Sequence, residues 1–186
     1  RPLVPDAPLY WMAHKPRGLL STRRDPEGRP TVLSLLPRGL PRLFPVGRLD
    51  ADTEGLVLLT NDGALAHRLL HPSLGNEREY RVTVRGEPSE ETFRKLSRGI
   101  DLEDGRTAPT RISGVRRDRK ADEARFDLVM IEGRKRQIRR MLAAVGHPVR
   151  SLLRIRMGTL RLGDLPPGAA RPLSTEELRR LSRHAA

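Results

Sequence analysis

Two stretches of this chain alternate in polarity residue by residue, and one of them leads directly into a segment with helical periodicity. Such a chain must pack half-covered strands against an amphipathic helix. Tyr80, Val82 and Val84 alternate with Arg81, Thr83 and Arg85, and Phe126, Leu128 and Met130 alternate with polar neighbours in a strand that stops at Gly133. Ile138, Met141, Leu142 and Val145 then fall at i, i+3, i+4 and i+7, with Gly146 and Pro148 as the stop and Arg136, Arg139 and Arg140 on the other face. A proline-rich opening leads into an apolar run from Leu9 to Ala13, which reads as a strand entering a turn at His14 to Gly18, and Arg23 to Pro30 is a polar, basic loop. Asn61-Asp62-Gly63 reads as a turn, Ala64 to Leu70 as a short helix, and Glu90 to Arg98 as a helix capped by Ser89. Val149 to Leu162 holds one or two strands, and Ser174-Thr175-Glu176-Glu177 is a capping box opening a last helix. Strands and helices mix irregularly, so the expected class is α+β with a largely antiparallel sheet. No repeat, low-complexity tract or shift of composition divides the chain, so residues 1–186 read as one domain.

Charge narrows the partners. Lys and Arg number 36 against 23 Asp and Glu, a net +13 that points to a polyanion. Arginine supplies nearly all of it, which suits bidentate contacts to phosphates and bases. The apolar runs are too short to span a bilayer, so no membrane partner is expected. With no cysteine there is no disulfide, thiolate zinc site or thiol nucleophile. The absence of a signal-like apolar stretch fits a cytoplasmic protein, and the start at Arg1 suggests a trimmed or processed chain. One Trp, two Tyr and three Phe are too few for modules that stack successive bases on aromatic platforms, so a folded RNA gripped through its phosphates is the better match.

The phosphate-binding, dinucleotide and nucleophile-elbow motifs are missing. His67 and His71 are four apart, but Arg68 stands where a zinc protease needs glutamate, so a metal site is not expected there; His14 and His147 border turns without an evident partner. The chemistry must then lie with carboxylates. The stretch Gly47-Arg48-Leu49-Asp50-Ala51-Asp52-Thr53-Glu54-Gly55 is the one acidic cluster in a Gly-bounded loop beside arginine. Taken alone it permits three readings: Asx-turns and a helix cap, a divalent-cation site as in a nuclease, or a single carboxylate kept ionised by a cation from elsewhere and available as a nucleophile.

Its surroundings resemble a known family. Gly47-Arg48-Leu49-Asp50, Asp52-Thr53-Glu54-Gly55-Leu56 and Thr60-Asn61-Asp62-Gly63 are similar to the central motif of the RsuA-like pseudouridine synthases. His14-Lys15-Pro16-Arg17-Gly18 resembles their first motif, Glu79-Tyr80-Arg81-Val82 their tyrosine motif, and the stretch from Glu132 to Leu142 their third. The segments from Asp25 to Val32 and from Leu96 to Gly105 look most like the RluB-like branch, which modifies large-subunit rRNA. The matches run in order over nearly the whole chain.

The resemblance implies a pseudouridine synthase fold, a mixed, largely antiparallel sheet flanked by helices around a central cleft. It implies isomerisation of a uridine in ribosomal RNA, 23S by branch, without a cofactor or metal and by a monomer. Asp50 would be the catalytic carboxylate, Arg139 the cation paired with it, and Tyr80 the aromatic acid or base against the target ring. The uridine must be flipped out of its stack, and Arg48 is the candidate to fill the gap. Lys15, Arg17, Arg23, Arg24 and Arg29 are expected to contact phosphates, with Arg136 and Arg140 as further RNA-binding candidates that also suit a solvated helix face. Leu142 would line the uracil pocket, although its place in the apolar stripe fits core packing equally. Members of the family usually carry a small N-terminal S4-type RNA-binding domain, for which this chain has no room. The rival readings are a non-catalytic rRNA-binding or ribosome-assembly protein of the same fold and a metal-dependent nuclease.

Overall fold

The computed structural model describes residues 7–184. The first residues of the proline-rich opening, with Arg1, lie outside that range. Eleven strands occur among the described residues: β1 Tyr10–Lys15, β2 Phe44–Val46, β3 Glu54–Thr60, β4 Arg78–Arg85, β5 Asp101–Leu102, β6 Gly105–Arg106, β7 Arg111–Asp118, β8 Glu123–Met130, β9 Val149–Met157, β10 Leu160–Arg161 and β11 Ala170–Pro172. Four helices accompany them: α1 Gly63–Leu70, α2 Glu90–Arg98, α3 Gln137–Ala144 and α4 Thr175–His184. The sheet runs β11-β1-β3-β9-β4-β8-β7, with β2 added to β3 and β10 to β9. Every pairing is antiparallel except β3 with β9, where only Glu54↔Leu153 and Gly55↔Arg154 meet in parallel. The molecule is thus an α+β fold of two antiparallel half-sheets joined at a short parallel seam.

The two halves bury their strands differently, and the sequence pattern follows. In the first half, α1 and α4 cover one face through Leu65, Leu69 and Leu181, while Val32, Leu43 and Leu49 cover the other against Ala13, Val57 and Leu59. Because β3 is covered on both sides, it reads as a continuous apolar run rather than an alternation. In the second half, α2 and α3 pack on a single face through Phe93, Leu96, Ile138, Met141 and Leu142. There Val82, Val84, Phe126 and Leu128 point inward while Arg81 and Arg85 are exposed.

Local signals fix the helix starts. Asp62, read from sequence as part of a turn, is the N-cap of α1, its carboxylate accepting from the Leu65 N–H (3.0 Å). Ser89 caps α2, and Ser174 and Glu177 exchange the reciprocal bonds of a capping box (3.1 and 2.8 Å). The α3 helix begins at Gln137, so Arg136 precedes it and is not on its face. The weakest strands, β2, β5, β6, β7 and β11, were not expected from the sequence, and Val149 to Leu162 resolves into β9 and β10.

The seam requires glycine. At Gly55, φ is +116°, and a Cβ would lie 2.3 Å from the Arg154 carbonyl oxygen and 2.5 Å from its nitrogen. Both obstacles are backbone atoms of the partner strand, so they cannot swing aside. Gly55→Ala is expected to destabilise the fold by about 3 kcal/mol or more, read as a lower urea midpoint with an unchanged slope. A midpoint equal to that of the wild type would refute the close approach.

Candidate active site

The loop between β2 and β3 carries the three carboxylates singled out in the sequence, and its backbone is pinned at successive residues. Leu49 is buried, and its N–H donates to Ser21 Oγ (3.1 Å). The Thr53 N–H donates to the Asp50 carbonyl (3.0 Å), closing a turn. The Ala51 carbonyl accepts from the Gly18 N–H (2.8 Å) and from Lys15 Nζ (3.3 Å). The Asp52 carbonyl accepts from Arg139 Nη2 (3.0 Å). Segments far apart in the chain therefore hold this loop, which leaves little freedom in where its side chains point.

The Asp50 carboxylate accepts no hydrogen bond from any described residue and opens on a cleft of about 460 Å³. Around it stand Thr53, Tyr80, Arg136, Ile138 and Arg139, with Arg48 at the same cleft. Tyr80 sits where the pairing of β4 with β9 slips by a residue between Glu79 and Tyr80, a bulge that re-aims side chains. The volume falls in the range of small-molecule sites.

The cation beside Asp50 differs from the expected one. Arg139 makes no ion pair with Asp50; it contacts the Asp52 carbonyl, Thr53 Oγ1 (3.4 Å) and an Asp52 carboxylate oxygen (3.5 Å). The ion-pair partner of Asp50 is Arg136, at 3.7 Å. Arg136 also grips Asp52 through two parallel bonds (3.0 and 2.9 Å), so although exposed it is tied to the loop rather than free on a helix face as the helical periodicity suggested. Its backbone is in the left-handed region (φ 51°), unusual for a side chain this large. Just after it, Gln137 reaches back across the turn: its Oε1 accepts from the Arg134 N–H (3.1 Å) and its Nε2 donates to Glu132 (2.6 Å). That pair fixes the turn that sends Arg136 toward the loop.

The Arg136 guanidinium, with Arg139 behind it, holds the Asp52 carboxyl below the usual range. Burial lowers Arg139, whose Nε has no partner, while the carboxylates of Asp52 and Asp50 oppose the shift. With Arg17 at 3.4 Å from Glu54, every carboxylate of the loop faces an arginine. That arrangement suits a pre-organised anion better than a site for a dication. Among the described residues no group of three or more His, Asp or Glu side chains is placed to hold a metal ion.

Several expected contacts are corrected by their positions. Lys15 is fully buried, bonded to the Pro16 carbonyl (3.0 Å) and the Ala51 carbonyl, so it supports the loop from beneath and cannot meet a phosphate. Leu142 is fully buried on the core face of α3 and does not line the cleft, where Met130, Ile138 and Leu152 supply apolar lining. Arg140 is bonded twice to Asp104 (3.0 and 3.1 Å), and Arg29 twice to Asp25 (3.0 and 2.8 Å). Arg23 and Arg24 are exposed and without ion-pair partners among the described residues, as is Arg48. His14 and His147 do have partners, the Leu165 and Arg85 carbonyls (2.7 and 2.9 Å).

Comparison with known proteins gives the family. Residues 9–144 match the model of a family described as RNA pseudouridylate synthase. A Bacillus subtilis protein named ribosomal large subunit pseudouridine synthase B is 43% identical over 176 residues, covering 95% of this chain and 72% of that protein. A Yersinia pestis protein of the same name is 46% identical over 165 residues, 88% of this chain and 50% of that one. A solved pseudouridylate synthase superposes with a TM-score of 0.85 at 34% identity, over 94% of this chain and 74% of its own. A human RNA pseudouridylate synthase domain protein, at 16% identity and a TM-score of 0.58, shares the fold.

The buried lysine gives the loop a pH signature. Burial pushes the Lys15 ammonium from 10.5 down to about 8, against the pull of Glu54, Asp52 and Asp50. Between those two values the unfolded chain binds more protons than the folded one, so this group's contribution to stability rises with pH across that window. In urea titrations the stability of the wild type relative to Lys15→Met is expected to increase from about pH 7 to about pH 10. A difference that stays flat or falls would show that the ammonium is not desolvated.

Proposed function

The chain belongs to the RNA pseudouridylate synthase family, and we propose that its substrate is a uridine of large-subunit (23S) ribosomal RNA, isomerised at the cleft beneath Asp50. As a member of that family it converts uridine in RNA to pseudouridine. The reaction breaks the bond from N1 to C1′, turns the uracil, joins C5 to C1′ and moves a proton from C5 to N1, so reactant and product are isomers. Nothing is oxidised, reduced or hydrolysed overall.

The observation that carries the assignment of roles is the Asp50 carboxyl group, without a hydrogen-bond donor among the described residues and facing a cleft on a backbone held by distant segments. A carboxylate not already bonded keeps its lone pairs for the ribose carbon or for a ribose proton. Arg136, at ion-pair distance, orients it. Arg139 acts one step back, holding the Asp52 carbonyl and with it the turn. Tyr80, across the cleft, offers its ring face to the uracil and its hydroxyl as the acid or base that moves the C5 proton. Met130, Ile138 and Leu152 give the turning base apolar contacts within an otherwise polar cleft.

The uridine must leave its stack to reach Asp50, at a cost of about a few kcal/mol. Arg48, at the cleft and unpaired among the described residues, would fill the gap. Arg17, Arg23 and Arg24 would take phosphates along the rim, contacts that position the RNA without specifying the base. The RNA named for the relatives from Bacillus subtilis and Yersinia pestis supports the large-subunit choice.

Asp50→Asn removes charge with little change of shape. It is expected to leave binding of an unmodified 23S transcript roughly intact and to abolish pseudouridine formation, mapped by carbodiimide-dependent primer extension. Turnover retained in that variant would overturn the assignment. Tight binding by the wild type with no modification would instead favour a binding protein of the same fold. Affinity is also expected to fall steeply between low and moderate salt as counterions return to the phosphates. A flat response would count against the basic rim.

A further inference from the structure

A second cavity of about 610 Å³ adjoins the first, the two sharing Arg48, Tyr80, Glu132, Gly133 and Arg134 at their border. The isomerisation uses none of the residues that are special to it. Arg154, only 2% exposed, lines it; its Nε donates to the Leu56 carbonyl (2.9 Å), but its buried Nη2 has no partner. Asn76, 3% exposed, lines it as well. The Asn76 amide cannot be turned over, because Nδ2 donates to two carbonyls at the end of α1, those of Arg68 and Leu69 (3.1 and 3.2 Å). Its Oδ1 is therefore a fixed acceptor, buried and without a donor. An unmatched donor and an unmatched acceptor, each costly to leave so, thus line one cavity.

Apolar side chains also stand at the rim. Of the three large hydrophobic side chains that stand exposed among the described residues, Leu70 (41%) and Ile131 (48%) both border this cavity. Arg48, Arg78 and Arg154 bring positive charge there, and none is ion-paired to a carboxylate of a described residue.

We propose that this cavity binds a second nucleobase of the RNA, splayed out beside the target uridine, and so helps to decide which uridine is modified. The proposal rests on the reading of the chain as an RNA-modifying enzyme and extends it. The pair of orphaned atoms separates a base from a phosphate. A phosphodiester would satisfy Arg154 but has no donor for Asn76 Oδ1, whereas the edge of a base presents N–H groups and acceptors together. The flat faces of a base would also cover Leu70 and Ile131, as single-stranded nucleotides do with apolar and aromatic walls. The backbone phosphates on either side would be left to the unpaired arginines.

The absence of cysteine makes the test direct, since Ile131→Cys places a unique thiol at the rim. The full chain, labelled there with a benzophenone maleimide and bound to an unmodified 23S transcript, is expected to crosslink to one nucleotide within a few positions of the uridine that becomes pseudouridine. Asn76→Leu is expected to raise KM roughly tenfold while leaving kcat within about twofold. Leu70→Asp, at an exposed position, gives the same reading should loss of the Asn76 bonds to α1 unfold the chain. Normal turnover with no discrete crosslink and an unchanged KM in Leu70→Asp, as a cavity filled only by water would give, overturns the proposal. A discrete crosslink on a transcript that is never modified would instead overturn the assigned substrate and leave the second site standing. Failure of both modification and crosslinking would overturn both.

Discussion

The two half-sheets touch in parallel over two residue pairs, and at one of them the strand backbones come so close that only a hydrogen fits at Gly55. Arg154, on the other side of this contact, sends its buried Nε back to the carbonyl of Leu56 and so locks the strands together. The carboxylate loop ends where β3 begins, immediately before this junction. Residues from both strands' surroundings then face one another across it: Asp50 from the first half, Tyr80 and the Arg136 turn from the second. The cleft exists because the halves are joined at a narrow neck rather than along a full ladder. The second cavity lies against the same neck, with Arg154 in its wall.

Charge is used inside this molecule more than its composition suggests. A net +13 invites the view that basic residues are laid out for a polyanion. Yet Lys15 is sealed beneath the loop, Arg29 staples its own segment to Asp25, and Arg140 ties α3 to Asp104 between β5 and β6. Arg134 adds to that tie through the Gly105 and Arg106 carbonyls (3.0 and 2.6 Å). What remains for an external partner is the smaller set of arginines without internal acids, among them Arg23, Arg24 and Arg48. A basic chain can therefore build its active site from internal ion pairs and still present a cationic rim.

How much of this was legible in the sequence follows from the range of the forces involved. The helices α2 and α4 were readable because Ser89 and Ser174 act on backbone groups within a turn of themselves. The strand β4 was readable because one face is dry and the other wet. The edge strand β7 was not, since only Ile112 and Val115 turn toward the core, and their spacing of three across a bulge leaves Arg111 to Asp118 without an apolar alternation. In the site, the motif pattern located Asp50, Tyr80 and the arginine cluster, but could not apportion the cations. Whether Arg136 or Arg139 meets Asp50 depends on a left-handed backbone at one residue and on the Gln137 and Glu132 bonds that impose it. Lys15 looked like a surface charge beside a turn, and only the return of the Ala51 carbonyl from 36 residues away makes it an internal support. Arg154 offered one faint clue, a charge at an inward position two residues after Leu152.

Both outer borders of the large sheet are poor templates. On one side β11 is three residues long and ends in Pro172, which has no N–H to offer. On the other, β7 slips register between Ser113 and Arg116, and Arg116 lies directly across from Arg125 of β8. Like charges set opposite one another weaken that ladder slightly, and they also confront any further strand with a row of guanidinium groups. Edges so guarded resist the edge-to-edge strand pairing by which concentrated proteins stitch themselves into fibres.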